Sequence, residues 1–141
     1  MADIPLVLAP VVRACEADWE AHNRDCSGFV KAVAADLGIT LTGQANDIVD
    51  QIGRVPWTSL NNDGLAAAQK AELGFLVIAG LKDTPNGHVA VITPGPLAQG
   101  KYPTGYWGKL HGIGKKNTTI NWAWNEDDRD NVTYSCITVP K

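Results

Sequence analysis

The spacing of apolar residues changes period at Gly74, and few architectures accommodate that change. Before it the pattern is helical. Phe29, Val30, Val33 and Leu37 recur at the three- and four-residue spacing of a buried helical face, so a helix is expected from Ser27, with Gly38 as its stop. Ala45 to Ile52 sets Ile48, Val49 and Ile52 on one side ahead of Gly53. Asp63 to Leu73 opens on an N-cap aspartate and closes on Gly74. Pro56 and Asn61-Asn62 mark the loops between these helices. After Gly74, Phe75 to Ala79 is a continuous apolar run, and G-H-V-A-V-I-T, Gly87 to Thr93, is a second, ended by Pro94-Gly95-Pro96. The turn-rich L-K-D-T-P-N-G between them is short enough for an antiparallel hairpin. Further strands are expected over Tyr106 to His111, Thr119 to Trp124 and Val132 to Val139. Helices first and an antiparallel sheet afterwards define an α+β fold.

With 141 residues, 45% of them hydrophobic, the chain suffices for one domain spanning 1–141 with a real core. A net charge of -3, with no basic run beyond Lys115-Lys116, leaves no footprint for nucleic acid or an anionic membrane. The longest apolar stretch, I-P-L-V-L-A-P-V-V, is far short of the roughly 20 residues of a spanning helix and is cut by Pro5 and Pro10. With Arg13 after it and no basic residue before it, it does not read as a cleaved signal either. Cys15, His22, Cys26, His88, His111 and Cys136 are scattered without a C-x-x-C or H-x-x-x-H spacing, so no metal and no cofactor is expected.

Chemistry concentrates in N-R-D-C-S-G-F-V, where Cys26 falls at a helix start. Unpaired N–H groups and the positive end of the helix dipole lower a thiol's pKa there, and the same N–H groups can hold an oxyanion. Asp25 would oppose this unless it turns away to cap the helix, which is the expected arrangement. Gly28 would give a substrate close access to the backbone. A thiolate needs an imidazole as general base and later as acid to the leaving amine. His88 fits best, since it opens an apolar strand directly after Gly87, whereas His22 lies in a polar loop and His111 in a later strand.

Two features stay open on the residues alone. Trp107, Trp122 and Trp124 line a binding groove or fill the core, with Gly105-Tyr106-Trp107-Gly108 as the most exposed-looking of these segments. Cys15 and Cys136 pair, closing nearly the whole chain for about 4 to 5 kcal/mol, or remain buried reduced thiols.

Beyond these local patterns, the chain resembles a papain-like cysteine peptidase of the NlpC superfamily. D-C-S-G-F-V-K-A-V-A-A-D-L-G, A-A-Q-K-A-E-L-G-F-L-V-I-A-G-L-K, G-H-V-A-V-I-T-P-G-P-L, K-Y-P and W-N-E-D-D-R-D, in that order, resemble the amidase effectors that type VI secretion systems inject into rival bacteria. The likeness runs from about Cys15 to Tyr134, and its long middle segment is no catalytic signature, which makes it specific. It implies an NlpC-type fold and an amidase cutting the D-glutamate to meso-diaminopimelate bond of peptidoglycan stem peptides, with Cys26 as nucleophile and His88 as base. It also implies a monomer made in the bacterial cytoplasm, exported by the secretion apparatus without a cleaved signal, acting in the target's periplasm and blocked by a cognate immunity protein. One position departs from the superfamily: the third polar residue that orients the histidine aligns near Trp107, leaving His111, a backbone carbonyl or a water for that task. The competing functions are a housekeeping cell-wall endopeptidase and a non-catalytic peptidoglycan- or partner-binding module.

Overall fold

The computed structural model describes residues 9–140. Three helices come first: α1 (Pro10–His22), α2 (Cys26–Asp36) and α3 (Ala45–Ile52). They are followed by β1 (Thr58–Asn61), α4 (Gly64–Glu72), β2 (Leu76–Leu81), β3 (His88–Ile92), β4 (Thr104–Trp107), β5 (Lys115–Thr119), a 3₁₀ turn at Ile120–Trp122, and β6 (Thr133–Ile137). The strands form one antiparallel sheet in the order β1-β6-β2-β3-β4-β5. The α+β class expected from the change of period is the one observed. The β2–β3 hairpin forms in the register that sets Leu81 opposite His88.

Successive residues of a strand point to opposite faces, and both faces of this sheet are covered. Leu76 and Ile78 of β2 and Val89 and Val91 of β3 join a core with Val11, Phe29, Val33 and Ile48, beneath α1, α2 and α3. Val77 and Ala79, with Ala90 and Ile92, face the other way and pack with Ala67 and Ala71 of α4, Trp107, Ile120 and Trp124. This double burial explains why β2 and β3 read as unbroken apolar runs where a one-sided sheet would alternate.

Several segments depart from expectation. The helix α1 was not anticipated, because its opening belongs to the proline-cut apolar stretch; Pro10 stands in the first turn, where a missing N–H costs nothing. The remainder of that stretch, Ile4 to Leu8, lies outside the described residues. The strand expected over Tyr106 to His111 sits earlier, because Gly108 presses on the turn before α2: a Cβ there would stand 2.4 Å from the His22 carbonyl oxygen. The chain turns away, and His111 adopts a left-handed φ of 61°. The strand expected over Thr119 to Trp124 is also displaced, to β5, while Ile120 donates its N–H to the Pro103 carbonyl and winds into the 3₁₀ turn. Both β5, K-K-N-T-T, and the unanticipated β1, T-S-L-N, are polar edge strands, which carry no apolar alternation to reveal them.

All three thiols are free and buried. Cys15 belongs to the core beneath α1 to α3 and Cys136 to the core beneath α4, so the sheet separates them and the long bridge does not form. Among the described residues no helix is long and apolar enough to cross a membrane.

Candidate active site

The turn before α2 is held from two sides. Asp25, extended at φ -150°, accepts the Gly28 N–H at 3.1 Å and the Ser27 hydroxyl at 2.9 Å. The expected capping therefore holds. Although burial works the other way, these bonds keep the Asp25 carboxyl below its ordinary range. Gly28 serves the cap, since a Cβ at that position would lie 2.6 Å from the Asp25 carboxylate oxygen. The Asn23 carbonyl accepts the N–H groups of Lys109 at 3.1 Å and Gly114 at 2.6 Å, so the loop after β4 clamps the turn that delivers Cys26.

Cys26 is the first residue of α2 and is only 8% exposed. Burial pushes its thiol above the ordinary value; the Val89 N–H partly offsets this and the nearby Asp25 charge adds to it. The lowered pKa expected from a helix start is therefore not what this site produces, because desolvation outweighs the local N–H groups. His88 opens β3 and is half-buried. Burial, assisted by the Lys109 charge, lowers its pKa to about 4. Near neutral pH the pair thus rests as thiol and neutral imidazole. Such a pair can act by general-base catalysis, with the imidazole accepting the S–H proton as sulfur attacks a carbonyl.

The thiol and the imidazole line one cleft of about 370 Å³, closed at its other edges by Gln44, Asn86, Lys109 and Leu110. Its rim is fixed by a reciprocal pair: Asn46 of α3 donates to the Asp83 carbonyl at 2.8 Å and accepts the Asp83 N–H at 3.1 Å, tying α3 to the hairpin loop. Gly87 is required there, since a Cβ would meet the Asn46 side chain at 2.3 Å. His22 ends α1 and His111 is exposed in the loop after β4; neither lines the cleft.

Among the described residues no side chain hydrogen-bonds the His88 imidazole as an orienter would. Trp107 is buried and its carbonyl accepts the Trp19 indole N–H at 3.2 Å. β4 ends at Trp107, and Lys109, in the loop after it, lines the cleft with His88. The imidazole is braced instead by Trp124, edge-on with ring centroids 4.9 Å apart and planes at 64°. Gly105 to Gly108, expected to be exposed, is buried throughout. Trp107 and Trp124 fill the core, and of the three groove candidates Trp122 alone is exposed.

Sequence reasoning missed Trp124, Lys109, Gln44 and Asn46 as neighbours of the site. None of the four carries a local signal, because the loops and helix ends that bring them to the cleft meet only in three dimensions.

No family model matches the chain. It is 44% identical, over 135 residues spanning 88% of its own length and 86% of the relative's, to the peptidoglycan amidase Tse1 of Pseudomonas aeruginosa. A cysteine at a helix start, facing a histidine at the start of an antiparallel strand, is the papain-like arrangement, and with identity at that level over most of its length the chain belongs to the family of the peptidoglycan amidase Tse1.

Proposed function

We propose that this protein is a cysteine amidase that hydrolyses the D-glutamyl to meso-diaminopimelate bond of peptidoglycan stem peptides. The observation that carries the reading is the convergence of Cys26 and His88 on one cleft in a chain 44% identical to a peptidoglycan amidase. In this reaction the Cys26 sulfur attacks the glutamyl carbonyl while His88 takes its proton. The amine of diaminopimelate leaves with that proton, and a thioester remains. Water, deprotonated by His88, then releases the glutamyl carboxylate and restores the thiol. The backbone N–H groups at the start of α2 would hold the oxyanion as it develops.

The biological setting that accompanies the reading is delivery by a type VI secretion apparatus into the periplasm of a rival cell. A cognate immunity protein protects the producer, and residues 1–141 act as one monomeric domain. The test is digestion of purified diaminopimelate-type peptidoglycan with the wild type and with Cys26→Ala, products resolved by mass. Wild type alone should deplete stem muropeptides and yield fragments ending in glutamate. Intact stems after incubation with folded wild type would overturn the assignment.

A further inference from the structure

The cleft contains one cation whose purpose the reaction above does not supply. Lys109 lines it beside His88, and its charge acts on the imidazole. The ion pairs found among the described residues use Lys82, Lys101, Lys116 and Arg129; Lys109 is in none of them. Its backbone is tethered to Asn23, and its stem runs along Gly112, where an added Cβ would lie 3.5 Å from the lysine Cδ. The other charged group of the cleft, Asp25, is committed to capping α2.

A cation beside a base that must itself become a cation opposes the first proton transfer. An anion brought by the substrate removes that opposition. Peptidoglycan stems carry such an anion in the right place: D-glutamate is joined to the next residue through its side-chain carboxyl, so its α-carboxylate stays free, four bonds from the scissile carbonyl carbon. Some bacteria convert that carboxylate to a carboxamide, which keeps the shape and loses the charge.

We propose that Lys109 pairs with the free α-carboxylate of the D-glutamyl residue and makes the enzyme selective for stems that carry it over stems carrying the carboxamide. This rests on the scissile bond assigned above. An ammonium–carboxylate hydrogen bond differs from its neutral counterpart enough to discriminate roughly 10- to 100-fold.

The experiment compares kcat/KM on two synthetic stem peptides that differ only in that group, for wild type, Lys109→Met and Lys109→Arg. Wild type should favour the carboxylate peptide by about 10- to 100-fold. Lys109→Met should bring the ratio to about one, and Lys109→Arg should keep most of it. Equal cleavage of both peptides by wild type would overturn the inference while leaving the scissile bond standing. So would Lys109→Met that slows both alike with the ratio preserved, the mark of a merely structural lysine. Cleavage of neither peptide would overturn the scissile bond and the selectivity together.

Discussion

The two faces of the sheet are built differently. The face beneath α1 to α3 is packed mainly with aliphatic side chains delivered by helices, among them Val11, Val30, Val33 and Ile48. The face beneath α4 is packed by Tyr102, Trp107, Trp124 and Tyr134, which arrive largely on strands and loops, and one of them is pinned by polar contacts. Tyr102 shows how: its hydroxyl donates to Asp130 at 2.6 Å, Lys101 pairs with the same carboxylate at 3.1 Å, and Arg129 stacks over its ring. The site draws on both. Cys26 comes from a helix of the first face, and the histidine opposite it leans on Trp124 of the second. A helical layer can present a nucleophile at a helix end, but bracing an imidazole beside it requires the irregular layer.

The comparison breaks if one large side chain removed from each face has the same consequences. Leu76→Ala empties the first face at the end of β2 remote from His88, and Trp124→Ala empties the second beside it. Each should cost about 3 to 5 kcal/mol of stability in denaturant titrations. Only Trp124→Ala should also shift the acidic limb of the rate profile upward from about 4, because water then reaches the imidazole. Identical pH profiles for the two variants would mean that Trp124 does no more for the site than any core residue.

That asymmetry also governs what could be read from the sequence. Helical periodicity and capping residues exposed α2, α3 and α4 nearly to their ends, and the helix-start cysteine with them, because those signals lie within a few residues of one another. β2 and β3 were legible as apolar runs, with His88 at the edge of the second. Trp107 and Trp124 were ambiguous because an aromatic side chain looks the same in sequence whether it lines a groove or fills a core; the fold of the 94–103 and 120–131 segments decides it. The neutral resting state of the pair was illegible for a related reason. Helix-start N–H groups are visible in the local sequence, while the burial that overrides them is contributed from across the fold.

Acid should separate the two layers more gently. The His88 pKa falls from 6.5 to about 4 in the folded protein, so between those values the unfolded chain binds the proton and the folded chain does not. Stability is lost as pH falls through that window, by up to about 3 kcal/mol. Asp18 of α1 works in the opposite sense. Burial, then the neighbouring Asp36 carboxyl, raise its pKa from 3.8 to about 6, so the folded state takes up a proton first and gains on acidification. Asp18→Asn removes that compensation and should steepen the loss between pH 6 and 4 in urea titrations, while raising stability at pH 7 by relieving repulsion from Asp36. An unchanged slope would show that the carboxyl pair does not buffer the fold against acid.

The smallest effect expected is none at all, and it tests the separation of the faces directly. Cys15 belongs to one core and Cys136 to the other, and burial pushes both thiols above their ordinary range, which further disfavours the thiolate that oxidation requires. A disulfide needs Cα atoms within about 7 Å, a span that a sheet with side chains on both faces does not allow. The melting temperature should therefore be the same with and without reductant, for wild type and for Cys15→Ser, after the offset of the substitution itself. Cys15→Ser keeps the volume but places a hydroxyl in a core, so its offset should be a uniform decrease at both redox conditions. A drop confined to reduced wild type would require the two faces to meet at the sheet edge, and would make the layered arrangement wrong where Cys136 is concerned.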